Sequence, residues 1–257
     1  MIEIKQLETQ MGGKTIHKNL DLTISKNEIL GIVGGSGSGK TTLLRAILML
    51  LKPVSGSIKI FDQEVIKCST ATANAIRKRW GVLFQQSALF SSLTLLENVQ
   101  FPLRTFTTLP AKIQQEIALL KIVMSGLPLD AAAKYPAELS GGMQKRAGLA
   151  RAIALDPEIL FFDEPTAGLD PKSAAELDEL VLNLHHSLGL TVVIISHDLD
   201  SLARITQRIA FLGEGKVLAA SPLSELMQNK NPIIQNYFGA YQRAKEKLLR
   251  HKLRSSQ

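Results

Sequence analysis

Residues 29–41 read Ile-Leu-Gly-Ile-Val-Gly-Gly-Ser-Gly-Ser-Gly-Lys-Thr, and this stretch decides the fold. Its first five residues form a short apolar run, which predicts a buried strand. The next eight fit the pattern G-x-x-x-x-G-K-[ST], a phosphate loop that requires a strand before it and a helix after it. A helical pattern over residues 41–51 supplies that helix. The stretch therefore predicts an α/β protein that binds a nucleotide.

Each part of this loop has a physical role in binding phosphate. Glycines let backbone N–H groups turn inward, and the helix that follows adds the positive end of its dipole. We expect Lys40 to neutralise the β- and γ-phosphates and Thr41 to offer its hydroxyl to Mg²⁺. The predicted phosphate-binding residues are Gly34, Gly35, Ser36, Gly37, Ser38, Gly39, Lys40, Thr41 and Thr42.

Two further apolar runs extend the pattern into a parallel sheet. Residues 159–162 and 192–195 are too short for buried helices, and helical patterns over 142–155 and 172–188 follow or precede them. Repeated strands and helices are typical of an α/β fold with a parallel sheet. Apolar and polar side chains alternate in two other stretches, which predict an antiparallel β layer over residues 2–25 and 56–67.

The rest of the chain divides into an insertion and a terminal extension. Residues from about 87 to 156 predict a helical subdomain, interrupted by Pro102, Pro110, Pro128 and Pro136. We expect one ATPase-sized domain over 1–230 and a basic, helical C-terminal extension over 231–257. Its residues Pro232 to Phe238 supply an apolar anchor, and we expect the extension to dock on a second copy of the chain. Anionic lipid headgroups are the alternative target of its basic residues.

Composition narrows the class of protein. The chain has 257 residues, 45% of them hydrophobic, and a single cysteine, Cys68, which excludes an intrachain disulfide framework. The start of the chain does not resemble a signal peptide, and no apolar run approaches the roughly 18 residues of a membrane span. The net charge is +7, of which residues 241–257 carry +5. We therefore expect a soluble protein from a reducing compartment.

A pair of carboxylates follows the second apolar run. Asp163 and Glu164 stand where a parallel strand ends, which places them at the same sheet edge as the phosphate loop. We expect Asp163 to bind Mg²⁺ and Glu164 to deprotonate the attacking water. Solvated acids at a strand end are the alternative, and the phosphate loop weighs against it.

A second candidate anion site precedes the helix that begins near residue 142. Ser140 is a favourable helix N-cap, and Gly141 and Gly142 allow close backbone approach to an anion. Because the phosphate loop already supplies one site, we expect a dimer in which each copy closes the other's nucleotide. An ordinary capped helix is the alternative.

With these motifs in order, residues 1–225 resemble the ATP-binding cassette (ABC) ATPases, a phosphate-loop (RecA-like) fold. The resemblance implies ATP and Mg²⁺ as ligands and a head-to-tail dimer. It implies that Gln85 lies in a loop that contacts Mg²⁺ and senses a membrane partner. It also implies that Asp170 links the two sites and that His197 contacts the γ-phosphate. Intact Glu164 and His197 disfavour a regulatory cassette that does not hydrolyse ATP.

Residues 84–90, 138–143 and 191–201 resemble one branch of this family, the ATPases of Mce-type lipid transporters that maintain lipid asymmetry in Gram-negative bacteria. This resemblance implies a polytopic permease, a periplasmic Mce-domain protein, a small STAS-like subunit and a peripheral position at the cytoplasmic face of the inner membrane. ATPases for amino acids or lipoproteins share most of these motifs and stay open as alternatives. A soluble ABC protein that acts on nucleic acid is a further alternative, favoured only by the basic tail, and we expect no nucleic acid partner.

Two positions depart from the family pattern. The stretch from Leu139 to Met143 corresponds to the signature motif of the family, and Met143 stands where that motif has Gln. Met11 stands where an aromatic residue of the family stacks on adenine. The Ser-Gly-Gly core of the signature is intact, so phosphate contact does not depend on Met143. A thioether packs on a ring less effectively than an aromatic side chain does.

Met11→Tyr is therefore expected to tighten ATP binding, because a tyrosine ring offers a stacking face. Isothermal titration of the purified chain with ATP measures this directly. Unchanged or weaker affinity would show that residue 11 does not lie over the base.

Overall fold

The computed structural model describes residues 1–239 and 241, and it contains two sheets and a group of helices. The strands are β1 (Ile2–Met11), β2 (Lys14–Ile24), β3 (Ile29–Val33), β4 (Ser55–Ile60), β5 (Gln63–Glu64), β6 (Trp80–Leu83), β7 (Ile159–Asp163), β8 (Thr191–Ile195), β9 (Arg208–Gly213) and β10 (Lys216–Ser221). The helices are α1 (Lys40–Ile47), α2 (Thr70–Arg77), α3 (Leu95–Phe106), α4 (Ala111–Met124), α5 (Gly141–Ala152), α6 (Pro171–Leu188), α7 (Leu199–Ile205) and α8 (Leu223–Leu226).

The larger sheet is the predicted parallel one. Its strand order is β10-β9-β3-β8-β7-β6, with every neighbouring pair parallel except the hairpin of β9 and β10. All residues of β3 and β8 are buried, as expected for strands covered on both faces. The three predicted apolar strands are thus confirmed, and they lie beside one another with β8 between β3 and β7.

The smaller sheet is the predicted antiparallel layer, with the order β2-β1-β4-β5. Its apolar side chains join those of the parallel sheet and α1 in one core. The helix predicted over residues 41–51 is shorter than expected. It ends at Ile47 because Met49 takes up a left-handed conformation (φ 58°) that an α-helix cannot continue.

Helices α3, α4 and α5 form the helical subdomain around a core of their own. The prediction that Pro102 interrupts this region is wrong, because Pro102 lies inside α3. Two features anchor the beginning of that helix. A capping box joins Thr94 to Glu97, and Asn98 is fully buried with its side-chain amide bound to three backbone carbonyls. Pro110 and Pro128 do stand at element boundaries.

The apolar anchor of the C-terminal extension packs on its own chain. Residues 232–239 are helical, and Ile234 and Phe238 are fully buried in the core beneath β9. The ring of Tyr237 meets that of Phe211 edge-on at 5.2 Å, and the Tyr241 hydroxyl donates to Asp200. This part of the extension is therefore not available to a second copy, contrary to expectation. The basic residues from 242 onward lie outside the described residues.

Phe238→Ala is expected to lower the free energy of unfolding by about 3 kcal/mol, because it removes a buried aromatic ring. Urea unfolding of dilute protein measures the change. Ile233→Ala is the matched control, since Ile233 lies in the same segment and is 37% exposed. If both variants unfold like the parent chain, the segment does not stabilise its own cassette.

Candidate functional site

Four strands of the parallel sheet deliver the predicted site residues to one edge. The phosphate loop follows β3, and Asp163 ends β7. His197 lies two residues beyond β8, and Gln85 lies two residues beyond β6. These strands are parallel neighbours, so their carboxyl ends lie side by side. The sheet thereby assembles residues that are up to 163 positions apart in sequence, from Gly34 to His197.

The phosphate loop is wrapped tightly around the Lys40 side chain. The Lys40 ammonium donates to the carbonyl oxygens of Gly34, at 2.8 Å, and Gly35, at 3.1 Å. Burial lowers the pKa of Lys40, and the carboxylates of Glu164 and Asp163 oppose that shift. The cation and both acids therefore share one electrostatic environment. Thr41 is exposed, whereas Thr42 is buried in the first turn of α1.

Position 39 of the phosphate loop accommodates only glycine, for two reasons. Its φ of +97° is unfavourable for any residue with a side chain, and a Cβ there would lie 2.4 Å from Nε2 of His17. His17 is fully buried beneath the loop, with its Nδ1 2.8 Å from the Thr9 hydroxyl and its Nε2 without a hydrogen-bond partner. Sequence reasoning gave His17 no role, because nothing in its local pattern indicates that β2 runs under the loop.

The two carboxylates have different surroundings. Burial and the neighbouring Glu164 raise the pKa of Asp163, and the cations of Arg45, Lys145 and Lys40 oppose this. Glu164 has a left-handed backbone (φ 52°), and its N–H donates to the Ile195 carbonyl at 2.8 Å.

The Glu164 carboxylate directly contacts His197, the residue expected to contact the γ-phosphate. Its Oε2 lies 2.7 Å from Nδ1 of His197 and accepts from the His197 backbone N–H at 3.3 Å. The Glu164 side chain is 17% exposed and that of His197 73% exposed, so the pair faces solvent from its histidine side. This geometry allows a carboxylate base to be oriented by an imidazole at the mouth of the site.

The segment that carries His197 is fixed by residues that sequence reasoning missed. Asp178 of α6 is buried, accepts from the Ser201 hydroxyl at 2.6 Å, and pairs with Arg204 at 2.6 Å. Both partners lie on α7, which begins two residues after His197. Asp198 caps α7 and accepts from the Thr166 hydroxyl. No local pattern marked Asp178, because its partners are 23 and 26 residues away.

The predicted signature forms a helix start, as expected. The Ser140 hydroxyl accepts from the Met143 N–H at 3.3 Å, and a Cβ on Gly141 would meet nothing within 4 Å. Ser140 and Gly142 line a cavity of about 380 Å³ whose other walls include Arg146, Leu169 and Ser173. No residue of the phosphate loop lines this cavity. The Asp170 carboxylate caps α6 by accepting from the Lys172 and Ser173 N–H groups at 3.0 Å.

The donor set at the sheet edge suits a triphosphate with Mg²⁺. Among residues 1–239 and 241 no three His, Cys, Asp or Glu side chains converge as a metal site. Mg²⁺ commonly binds through one or two carboxylates and completes its shell with water and substrate phosphates. Asp163, the Thr41 hydroxyl and the Gln85 amide are oxygen donors of that kind, and loop amides and Lys40 provide the phosphate contacts. The fold and this edge define a phosphate-loop nucleoside triphosphatase.

Comparison with known proteins gives the family. Residues 17–167 match the family model "ABC transporter". The chain is 41% identical over 231 residues to the intermembrane phospholipid transport system ATP-binding protein MlaF of Haemophilus influenzae, covering 90% of this chain and 87% of the relative. It is 40% identical over 234 residues to the methionine import ATP-binding protein MetN of Lacticaseibacillus paracasei, covering 89% of this chain and 66% of the relative.

A solved structure shows the same fold. The ATP-binding cassette MJ0796, in a dimeric post-hydrolysis state bound to ADP and Pi, superposes with a TM-score of 0.79 at 33% identity, covering 87% of this chain and 99% of that one. The chain belongs to the ABC transporter family and is an ATP-binding ATPase. None of the helices formed by residues 1–239 and 241 is long and apolar enough to cross a membrane.

His17 generates a prediction about acid stability. Burial lowers its pKa from 6.5 to about 4. Between these pH values, His17 is therefore protonated in the unfolded chain but neutral in the folded chain. Its contribution to stability is therefore present above pH 6.5 and lost as the pH falls through 4, with a total of roughly 3 kcal/mol. His17→Gln, which cannot titrate, should flatten the fall in unfolding free energy between these values, measured by urea unfolding at several pH values.

His186→Gln is the control, because it removes an exposed histidine of α6 and leaves the buried surroundings of His17 intact. If the unfolding free energies of all three proteins depend on pH in the same way, burial of His17 does not contribute to acid sensitivity and the prediction is wrong.

Proposed function

We propose that this chain hydrolyses ATP to energise the movement of phospholipid between the inner and outer membranes of a Gram-negative bacterium. The observation that carries the proposal is the match to the phospholipid transport ATPase over 87% of that relative's length. The match to the methionine import ATPase is almost equal in identity but covers 66% of that relative. The agreement of residues 84–90 and 138–143 with the lipid branch favours the same reading.

The hydrolytic step follows from the sheet edge. Backbone amides of residues 34–39 and the Lys40 ammonium bind the β- and γ-phosphates, which neutralises the charge that repels a nucleophile. Thr41, Gln85 and Asp163 would hold Mg²⁺, which supplies charge stabilisation to the transferred phosphoryl group. Glu164 accepts a proton from the attacking water, and His197 holds the Glu164 carboxylate in position across their 2.7 Å contact.

The ATP site is shared by two copies of the chain in a head-to-tail dimer. Within one chain, the cavity that Ser140 and Gly142 line contains no phosphate-loop residue. This separation supports a site in which the start of α5 closes on the nucleotide of the second copy. Asp170 begins α6 beside the same cavity wall, where it would join the two sites.

The permease binds at an apolar groove next to the Gln85 loop. A cavity of about 450 Å³ lies between the parallel sheet and the helical subdomain, lined by Trp80, Phe84, Phe90 and Phe101 among others. Phe90 is 42% exposed, whereas Leu89 is half-buried against the core of the helical subdomain. Phe90 therefore suits the groove for a cytoplasmic helix of the permease, and Leu89 suits the core.

This assembly holds the ATPase at the cytoplasmic face of the inner membrane as a peripheral subunit. Its further partners are an Mce-domain periplasmic protein and a small STAS-like subunit. The charge of residues 1–240 is nearly balanced, with a net +2, and gives no support to a nucleic acid partner. The positive charge of the residues after 241 suits binding to a second copy or to anionic headgroups.

Glu164→Gln should retain ATP binding and the closed dimer but lose turnover, because an amide cannot accept the proton of the attacking water. Phosphate release reports turnover, and size-exclusion chromatography with ATP reports the dimer. Glu158→Gln is the control. Glu158 pairs with Arg79 outside the site, so this variant should keep normal turnover. Near-normal turnover in Glu164→Gln would refute the assignment of the base.

The transported substrate is tested by purifying the chain from membranes with its bound partners. A polytopic permease and an Mce-domain protein in the complex support phospholipid transport, and ATP-driven lipid exchange between vesicles then measures it. A solute-binding protein with an amino-acid permease would instead assign the chain to amino-acid import. Salt-sensitive nucleic acid in place of a permease would contradict both.

A further inference from the structure

Lys145 is a buried cation beside the site that neither the predicted motifs nor the proposed mechanism uses. It stands on the second turn of α5 and is 6% exposed. Its ammonium donates to the carbonyl oxygen of Gln85 and, at 3.3 Å, to that of Glu164. One side chain thus connects the helix of the signature to the loop after β6 and to the end of β7.

Both carbonyls belong to segments in which residues other than glycine have positive φ angles. Glu164 is held in a left-handed conformation, and Ser87 and Ala88 directly after the Gln85 loop have φ values of 58° and 49°. Such conformations persist only where surrounding contacts fix them. A buried ammonium that lacks either carbonyl would lose a hydrogen bond without access to water, so the three segments are constrained to move together.

The position of Lys145 on α5 connects the signature end of this helix to the Glu164 backbone. The start of α5, at Ser140 and Gly142, faces the cavity that would receive the second copy's nucleotide. Lys145 lies one to two turns further along the same helix and faces its own chain's base. A displacement of α5 on closure of the dimer therefore reaches the Glu164 backbone through a single side chain.

We propose that Lys145 is a positioning residue that couples the two ATP sites of the dimer, by tying the signature helix of one site to the base and Gln85 loop of the other. This inference rests on the proposed dimer. Binding of ATP against the signature of one copy sets the position of Glu164 in that same copy, whose own ATP it serves. The coupling should appear as cooperative ATP hydrolysis.

Lys145→Met tests the proposal, because methionine keeps the apolar stem and removes the N–H donors. In steady-state hydrolysis by the full chain, kcat should fall by about tenfold through misplacement of the base, while KM changes less than about twofold. The Hill coefficient for ATP should fall toward one. Lys145→Arg, which restores cationic donors, should recover part of both kcat and the Hill coefficient.

Lys121→Met is the matched control. Lys121 is 4% exposed in the same subdomain and pairs with Asp156, far from the signature in sequence. It should lower stability but leave kcat per folded molecule and the Hill coefficient unchanged. If Lys145→Met does not fold, Lys145→Gln replaces it, since a neutral amide still fills the space, and a lower Hill coefficient is again expected.

The possible outcomes separate the two proposals. If the parent chain hydrolyses ATP and Lys145→Met behaves like Lys121→Met, the role of Lys145 is refuted and the proposed function stands. If the parent chain shows no Mg²⁺-dependent hydrolysis, the proposed function itself fails. Equal losses in kcat and in apparent ATP affinity, with an unchanged Hill coefficient, would mark Lys145 as a structural residue only.

Discussion

The parallel pairing of β6, β7, β8 and β3 is the constraint on which the rest of the structure depends. It places four chain segments at one edge, each beginning where a buried strand ends. The register of these pairs sets where the acids and the loop stand relative to each other. The phosphate loop alone binds an anion, but only this pairing brings Glu164 and His197 into contact beside it.

Charge balance at this edge depends on the half-buried Lys40 and the buried Lys145 more than on the net charge of the chain. Lys40 and Lys145 both lie close enough to Asp163 and Glu164 for the acids to oppose the effect of burial on each lysine's pKa. An isolated buried charge is costly, and mutual compensation makes this cluster tolerable. The excess of +7 therefore has little part in the chemistry, because most of it lies beyond residue 240.

The sequence predicted those parts of the site that are encoded locally. The strand at 29–33, the loop after it, the acids at the end of β7 and the cap at Ser140 each depend on neighbours within a few residues. Lys145 was missed because its partners are 60 and 19 residues away, and Asp178 was missed for the same reason. The apolar beginning of the extension was misassigned because residues such as Phe238 do not reveal which copy of the chain buries them.

The central claim is that each ATP site combines the phosphate loop of one copy with the signature of the other. Disulfide trapping tests it most directly, in a Cys68→Ser background that removes the native thiol. Ser38→Cys and Ser140→Cys are placed on separate chains, mixed and oxidised, because a disulfide forms only where Cα atoms approach within about 7 Å. We predict a covalent heterodimer of twice the chain mass from the mixture and none from either chain alone. Absence of the heterodimer in a mixture that hydrolyses or binds ATP would contradict the shared site.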